Sequence, residues 1–392
     1  MTYTTSKSIL INNRDFFIGS NSYDSTTLAS NEVKITASDG AVDDEFGFSV
    51  AVGSGRIVVG AWLDDDNGTG SGAAYVFDFL GNQLLKLIPG DVSADGQFGL
   101  SVAIGSGRIV VTATGEAAIY IFDLNGSLIK KATANDLVAG QLFGWRVAIG
   151  SGRIVVGSTQ DTTNGSDAGA AYIFDLDGNQ IAKILASDGA ADDSFGISVG
   201  AGSGRIIVGA WRNDDNGTDS GSAYIFDLDG NEITKIIASD AAADDRFGIS
   251  VAAGSGRIIV AAYLNDDAGS ASGSAYIFDL DGNEITKIVA SDAVGGDGFG
   301  VSVAIGSGRI VVGAFGVDDN GSASGSAYVF DLDGNQLSKI LASDGATEDY
   351  FGADVAVGSG RIVIGSFGSN SSTGAAYIYT TPTQKHFLDQ LD

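Results

Sequence analysis

Short runs in which apolar and polar residues alternate recur along the chain and predict β-strands rather than helices. One stretch shows the four runs of a single unit: FGISVGAG (195–202), RIIVGAW (205–211), SAYIFDL (222–228) and NEITKIIA (231–238). The Gly-Ser-Gly-Arg segment between the first two runs predicts a tight turn, and Asp229-Gly230 predicts a type I′ hairpin turn. No window has the 3.6-residue apolar period of a helix. The unit is therefore four antiparallel strands, named A to D in chain order.

This unit recurs at a fixed period. Each copy opens on a Phe-Gly pair, and the seven pairs begin at positions 46, 98, 143, 195, 247, 299 and 351. The spacing is 52 residues except for one interval of 45, because the second copy lacks the long loop between strands B and C. Four-stranded antiparallel units repeated in this way are typical of a β-propeller. The predicted fold class is all-β, with seven blades.

The last copy ends after its strand C, and the missing strand D is found at the other end of the chain. Residues 31–38 match the strand D pattern of residues 231–238. We therefore expect the segment 31–38 to complete blade 7, which would remove two exposed sheet edges. The predicted domains are an N-terminal arm (1–30), the propeller (31–380) and a C-terminal tail (381–392). The arm and the tail are expected either to pack on the ring or to dock it onto a larger assembly.

The phrases Phe-Gly-x-Ser-Val-Ala, Val-Val-Gly-Ala and Gly-Ser-Ala-Tyr-Val-Phe resemble the FG-GAP repeat family, the propeller repeats of integrin α-subunits and of many bacterial and viral surface proteins. The Ala-Ser-Asp-Gly-Ala-x-Asp-Asp connector is similar to the bacterial subgroup. The resemblance covers residues 31–380 and implies adhesion or protein contact rather than catalysis. The calcium loop of integrin-type repeats lies between strands A and B. This chain has Gly-Ser-Gly-Arg there, so that calcium site does not carry over.

Net charge narrows the class of partner. The chain has 49 Asp and Glu against 21 Lys and Arg, a formal net charge of −28. Nucleic acids and anionic membrane surfaces are disfavoured, because their binding depends on Lys and Arg. Apolar runs are too short for a transmembrane helix, so no membrane insertion is expected. With no Cys and one His, thiol chemistry and a catalytic triad within the ring are also disfavoured.

Two acidic loops in each unit are expected on one face of the ring, because B–C and D–A connections of a meander emerge on the same side. Carboxylates beside Asn side chains and loop carbonyls suit Ca²⁺, a hard cation that takes six to eight oxygen ligands. The alternative is that these residues form turns and keep the protein soluble. The candidate calcium ligands are Asp64, Asp65, Asp66, Asp192, Asp193, Asp214, Asp215, Asp244, Asp245, Asp266, Asp267, Asp318 and Asp319.

Aromatic residues next to the acidic face are candidate contacts for a protein or a glycan. Trp62, Trp211 and Tyr263 follow strand B, and Trp145 stands in blade 3 where most other blades have a small or aliphatic residue. Aromatic side chains dominate the energetics of many interfaces. The alternative is that these rings pack between neighbouring blades.

The sequence thus predicts a non-enzymatic adhesive or structural display module. Its predicted setting is a virion, as a phage tail or capsid appendage, and the alternative is a bacterial surface or matrix adhesin. An acid-pair glycosidase is the distant enzyme alternative. We expect an extracellular or virion-surface location without a classical signal peptide, with the termini joining the ring to its particle or surface.

Overall fold

A computed structural model describes residues 31–381 together with the backbone of a hairpin formed by β1 (Lys7–Ile11) and β2 (Arg14–Ile18). Residues 31–381 form seven four-stranded antiparallel sheets, so the predicted seven-bladed propeller is confirmed. No helix within the described residues is long and apolar enough to cross a membrane. Apart from the hairpin and Thr381, the predicted N-terminal arm and C-terminal tail lie outside the described residues.

In each blade, strand A lines the central channel and strands B, C and D follow outward. Blade 1 comprises β4 (Ser49–Gly53), β5 (Arg56–Ala61), β6 (Ala73–Phe77) and β7 (Gln83–Leu87). Blades 2 to 4 comprise β8 (Phe98–Gly105), β9 (Arg108–Ala113), β10 (Ala118–Asp123), β11 (Leu128–Ala132), β12 (Phe143–Gly150), β13 (Arg153–Ser158), β14 (Ala170–Phe174), β15 (Gln180–Ile184), β16 (Val199–Gly202), β17 (Arg205–Ala210), β18 (Ser222–Phe226) and β19 (Glu232–Ile236). Blades 5 and 6 comprise β20 (Phe247–Gly254), β21 (Arg257–Ala262), β22 (Ser274–Phe278), β23 (Glu284–Ile288), β24 (Val303–Gly306), β25 (Arg309–Ala314), β26 (Ser326–Phe330) and β27 (Gln336–Ile340). Blade 7 comprises β28 (Val355–Gly358), β29 (Arg361–Ser366), β30 (Ala375–Thr380) and β3 (Val33–Ile35).

Blade 7 takes its outer strand from the other end of the propeller segment. Strand β3 pairs antiparallel with β30, with Val33 opposite Ile378. The adjoining Glu32 accepts a hydrogen bond of 2.7 Å from the Tyr379 hydroxyl. The predicted closure by residues 31–38 is therefore confirmed. The pairing covers the edge of β30 and gives β3 a partner strand.

The apolar core lies between the blades. Seven clusters of buried side chains each combine residues of two consecutive blades, including blades 7 and 1. The Phe of each Phe-Gly pair is fully buried: the Phe46 ring lies 5.4 Å from that of Tyr75 and 5.8 Å from that of Phe77, both in edge-on geometry. Burial of one such ring contributes about 1.5–3 kcal/mol. The repeated Phe therefore anchors every blade in the same way.

In five of the seven Phe-Gly pairs, a Cβ atom on the Gly would lie 2.2–2.3 Å from a carbonyl oxygen of the preceding blade. Gly47 has a φ of 95°, and a Cβ atom there would lie 2.2 Å from the carbonyl oxygen of Ala375 in blade 7. Only glycine tolerates both this backbone conformation and this contact. The dipeptide thus combines an apolar anchor with a point of close backbone packing.

The prediction of a type I′ turn between strands C and D is wrong. Such a turn needs positive φ at both central residues, but of Asp229 and Gly230 only Gly230 has it, at 92°. The Asp227 carboxylate instead accepts the Asp229 backbone N–H at 2.9 Å, and a register shift precedes the turn. This side chain stabilises a longer, bulged turn. Positive φ at two successive residues occurs in the A–B turn, at Ser203 and Gly204.

Candidate functional site

The face that carries the B–C loops and D–A connectors holds a lysine among its carboxylates. In blade 1, Lys86 on strand D places Nζ 2.9 Å from Asp39, 2.9 Å from Asp64 and 2.5 Å from Asp66. The Tyr75 hydroxyl lies 2.8 Å from Asp64 and 2.9 Å from Asp39, and its ring centroid is 5.1 Å from the ammonium. A positive charge of the protein itself therefore occupies the centre of this acidic group.

We call this arrangement the lysine cluster, and it recurs in every blade. A strand D lysine pairs with an aspartate of the preceding connector or its equivalent; the pairs are Lys34–Asp344, Lys86–Asp39, Lys131–Asp91, Lys183–Asp136, Lys235–Asp188, Lys287–Asp240 and Lys339–Asp292. In blades 1 to 6 a second partner comes from the B–C loop: Asp66, Glu116, Asp161, Asp215, Asp267 and Asp319. Five of the candidate calcium ligands are thus paired with an ammonium group: Asp64, Asp66, Asp215, Asp267 and Asp319.

Four more candidate ligands stabilise the B–C loop itself. Asp65 Oδ1 accepts the backbone N–H of Gly70 at 2.7 Å, five residues along the chain. The equivalent bond recurs, at 2.7–2.8 Å, at Asp214, Asp266 and Asp318. These carboxylates hold the loop backbone in shape.

The remaining candidate ligands belong to the D–A connectors. Asp193 and Asp245 are buried, and each accepts the backbone N–H three residues earlier, at 2.9 and 3.0 Å. Asp192 and Asp244 are exposed turn residues with φ of 70° and 68°. The predicted acidic face therefore exists, and eleven of its thirteen candidate ligands are bound to the protein's own ammonium or amide groups.

The lysine cluster and the connector turn shift carboxyl pKa values in opposite directions. Burial alone would raise the pKa of Asp240, but hydrogen bonds from Lys287 and Tyr276 outweigh it and lower that pKa. Asp245 has no such cation in contact, and burial raises its pKa despite the hydrogen bond from the Ala242 backbone. The pKa values of two carboxylates in one connector are thus shifted in opposite directions.

Ca²⁺ binding stays a prediction. Within residues 31–381, no group of three or more His, Asp or Glu side chains is placed to hold a metal ion. Any cation that entered a lysine cluster would compete with an ammonium group already in hydrogen-bond contact. The two acidic loops do converge as the sequence indicates, but the arrangement offers Ca²⁺ no set of free carboxylates.

Around the channel entrance on the same face, three positions of the repeat differ from blade to blade. They are the residue before each Phe-Gly, the residue after it and the residue after strand B, and together they form what we call the mouth ring. Its members are Glu45, Gln97, Leu142, Ser194, Arg246, Gly298 and Tyr350; Phe48, Leu100, Trp145, Ile197, Ile249, Val301 and Ala353; and Trp62, Thr114, Thr159, Trp211, Tyr263, Phe315 and Phe367.

One side of the mouth ring is a continuous aromatic strip across blades 1, 7 and 6. Ring centroids are 5.5 Å apart for Trp62 and Phe48, 5.6 Å for Phe48 and Phe367, and 5.1 Å for the stacked pair Phe367 and Tyr350. Phe315 extends the strip, 6.1 Å from Tyr350. These rings pack between blades, as the alternative interpretation predicts, and each is only half-buried. A partner can therefore still contact them.

The other side, in blades 3 to 5, combines aromatic rings with arginines, and we call it the cationic sector: Trp145, Trp211, Arg212, Arg246 and Tyr263. The guanidinium carbons of Arg212 and Arg246 lie 4.7 and 4.4 Å from the Trp211 ring centroid. Arg246 also donates a hydrogen bond of 2.9 Å to the Tyr263 hydroxyl. A pocket that includes Trp145, Trp211 and Arg212 opens between blades 3 and 4.

Comparison with known proteins agrees with this repeated geometry. The FG-GAP repeat model matches residues 29–77, 127–174, 179–226, 231–278, 283–330 and 335–379. The chain belongs to the FG-GAP repeat family. Each matched segment joins a strand D to strands A, B and C of the next blade. The unmatched interval 78–126 contains strand D of blade 1 and strands A to C of blade 2, whose B–C loop is short.

The fold of this FG-GAP propeller is also found in a solved enzyme structure. The crystal structure of selenomethionine-substituted virginiamycin B lyase from Staphylococcus aureus is similar, with a TM-score of 0.63 and 9% sequence identity. The similarity covers 90% of this chain and 99% of the lyase chain. At this identity the likeness shows the fold alone. A comparison with curated protein sequences finds no match.

Inside the channel, the FG-GAP repeats place a serine on strand A, and its hydroxyl links consecutive blades. Ser49 Oγ, for example, accepts the Val102 backbone N–H at 3.0 Å. Blade 7 has Asp354 at this position, which accepts hydrogen bonds from Val50 N–H at 2.7 Å and Ser302 Oγ at 2.8 Å. Burial raises the pKa of Asp354, and the charge of Arg146, the blade 3 equivalent, opposes that rise. This belt of polar contacts joins the inner edges of the blades.

Sequence reasoning did not find the lysine clusters or the role of Arg212 and Arg246. The signal for the clusters was a lysine at one fixed position of every strand D. The signal for the arginines was that both lie outside the repeated Gly-Ser-Gly-Arg turns, beside an aromatic residue or a Phe-Gly pair. The predicted contact residues Trp62, Trp145, Trp211 and Tyr263 do lie on the same face of the ring. The structure brings the last three into one sector and leaves Trp62 in the aromatic strip.

Proposed function

We propose that this FG-GAP propeller is a non-enzymatic adhesion or interaction module that binds a protein or a glycan with its mouth ring. The proposal rests on where the blades differ from one another in sequence. Blades share their Phe-Gly anchors, strand C tyrosines and lysine clusters, whereas aromatic and arginine residues differ between blades only a short distance away, around the channel entrance. Aromatic and arginine side chains are the residue types that dominate interface energetics.

The carboxylates support a structural rather than a catalytic role. A glycosidase needs one carboxylic acid and one carboxylate facing a bound sugar. In the lysine clusters, Asp64 and Asp66 instead share the ammonium of Lys86, and Asp65 and its equivalents in the other B–C loops accept backbone N–H groups. The proposal therefore assigns these residues to stabilising the face that carries the mouth ring.

We further propose an extracellular setting, specifically a virion surface such as a phage tail or capsid appendage, with the terminal segments joining the ring to its particle. A bacterial surface or matrix is the alternative setting. The strongly acidic composition fits both. Neighbouring genes for tail or capsid proteins would support the first, and neighbouring secretion genes would support the second.

An attachment assay tests the role of the mouth ring. Wild-type protein is applied to an immobilised panel of glycans and purified surface proteins, beside Trp62→Ala, Trp211→Ala and the control Leu80→Ala. Leu80 is exposed and lies in a C–D turn on the opposite face. We expect retention on at least one panel member, a loss of about tenfold or more in one of the Trp variants, and no change in the control.

Thermal melts of the same variants separate binding from folding. Equal retention of wild-type protein and both Trp variants would contradict the proposal, as would loss of retention only in variants that unfold. Release of product from any glycan on the panel would instead favour the glycosidase alternative.

A further inference from the structure

Arginines outside the repeat pattern gather in one part of an otherwise acidic molecule. Each Gly-Ser-Gly-Arg turn contributes one arginine to the opposite face of the ring, and each blade contributes one lysine to a lysine cluster. Within residues 31–381 the remaining arginines are Arg146, Arg212 and Arg246, and all three lie in blades 3 to 5 near the channel entrance. The formal net charge of the chain is −28, and within residues 31–381 these three arginines are the ones that depart from the repeat pattern.

The lysines of the repeat are matched by carboxylates, but the arginines of the cationic sector are not. Among residues 31–381, neither Arg212 nor Arg246 forms a salt bridge. Instead, both guanidinium groups lie within 5 Å of the Trp211 ring centroid, at 4.7 and 4.4 Å. Arg212 also lines the adjoining pocket, so its positive charge would attract an anion bound there. Guanidinium groups bind carboxylates with strong, charge-assisted hydrogen bonds.

The adjoining pocket has the chemistry of a site for a hydroxyl-rich ring. Its volume is about 170 Å³, and its lining combines the Trp145 ring with hydroxyl, amide and carboxylate groups, including Thr159, Gln160, Asp167 and Ser194. Typical pockets for whole small molecules measure about 300–1,000 Å³. A pocket of this size accommodates one ring-sized unit of a longer chain, with hydrogen-bond partners for several hydroxyl groups.

We propose that the cationic sector binds an acidic oligosaccharide, with one carboxylate-bearing sugar ring in the pocket against Trp145. Its carboxylate pairs with Arg212, which lines the pocket, while Gln160 and Asp167 accept hydrogen bonds from its hydroxyls. Arg246 holds the Trp211 ring and adds positive charge beside the pocket. This inference rests on the proposed function, because it names the ligand class of part of the mouth ring. An acidic peptide fits less well, since its side chains offer few hydroxyls to the polar groups of the pocket.

Intrinsic fluorescence gives a direct test, because the chain has only three Trp residues. In a Trp62→Phe background, Trp145 and Trp211 are the only reporters. Titration with oligogalacturonate, a uronic acid oligosaccharide, should give a saturable signal that weakens as salt concentration rises. The additional changes Arg212→Gln and Arg246→Gln should together raise the Kd about tenfold or more. The matched control is Arg205→Gln, whose side chain pairs with Asp281 on the opposite face at 3.5 Å.

Two comparison ligands distinguish an acidic oligosaccharide from a neutral oligosaccharide and from an acidic peptide. A neutral cello-oligosaccharide of equal length should bind at least tenfold more weakly, and polyglutamate should not give the saturable signal. No response to oligogalacturonate, equal binding by the Arg212→Gln/Arg246→Gln variant, or stronger binding of polyglutamate would each overturn the saccharide assignment. If the attachment assay still shows retention through the mouth ring, the proposed function survives that result. Loss of both signals would overturn both proposals.

Discussion

Two aspartates of the same connector show how strongly the surroundings of a side chain affect its carboxyl pKa. Asp240 sits beside the Lys287 ammonium, which is 2.6 Å away, whereas Asp245 is buried against a backbone N–H. Their pKa values are shifted in opposite directions from the ordinary aspartate value of 3.8. They therefore contribute to stability in different pH ranges.

Asp240→Asn and Asp245→Asn should change the pH dependence of the unfolding free energy in opposite ways. The lowered pKa of Asp240 means that its ionised form stabilises the fold above about pH 3.8, and this contribution is lost as pH falls through the folded-state pKa. Asp240→Asn should therefore be less stable than wild type at pH 7, with the difference vanishing in acid. The raised pKa of Asp245 means that its charge opposes folding at pH 7, so Asp245→Asn should be neutral or stabilising there. Denaturant unfolding from pH 3 to 7 measures both, and matching profiles would refute the distinction.

Single positions also mark the limit of sequence-based inference. The burial of Phe46 and the close packing of Gly47 follow from a repeated dipeptide in a repeated strand pattern. The partner of Lys86 does not, because Asp39, Asp64 and Asp66 come from two different loops whose backbone paths the composition leaves open. From the sequence, these carboxylates are candidate ligands for a metal ion. The structure shows that Lys86 supplies the positive charge they contact.

Among the elements, strand D and the B–C loop act together through the lysine cluster. Blade 2 shows that the loop can be shortened without losing this arrangement. Its loop is too short to include the usual Asp pair, yet Glu116 still lies 3.4 Å from Lys131, and Asp91 lies 3.0 Å away on the connector side. The strand patterns and the acidic loops were predictable from alternation and composition, whereas this link between them depends on which carboxylates the folded loops bring near the strand.

Removal of the ammonium should turn a lysine cluster into a site with affinity for cations. Lys287→Met removes the ammonium partner of the Asp240 and Asp267 carboxylates. Because both carboxylates are partly exposed, we expect a loss of about 0.2–1 kcal/mol per pair in unfolding free energy. Millimolar Ca²⁺ should restore part of that loss by binding the native state, and should shift the wild-type Tm less. Lys130→Met is the matched control, since Lys130 is outside the lysine cluster and donates its hydrogen bond to the neutral Asn179 amide oxygen, at 2.9 Å. A Ca²⁺ shift as large in wild type as in Lys287→Met would show that calcium binds without displacing lysine.

For the whole molecule, closure through β3 makes the ring continuous. Deletion of residues 1–38 removes this strand and exposes the edge of β30, so the shortened protein should aggregate or melt without cooperativity. Deletion of residues 1–30 retains Val33–Ile35 and should preserve a cooperative transition. Calorimetry and light scattering on both proteins make the comparison. A soluble 1–38 deletion with an unchanged Tm would contradict the role of β3 in closure.

The pairing of β3 with β30 also sets an order of events during synthesis. Glu32 and Tyr379, which meet at this junction, are separated by 347 positions of sequence. At about 5–20 residues per second, the ribosome needs roughly 17–70 s to make the intervening chain. Throughout that time the first strand of the propeller has no partner, while the blades between are completed one after another. The ring can close only when the last blade has emerged, so β3 stays unpaired while the rest of the propeller is being made and is covered only at the end.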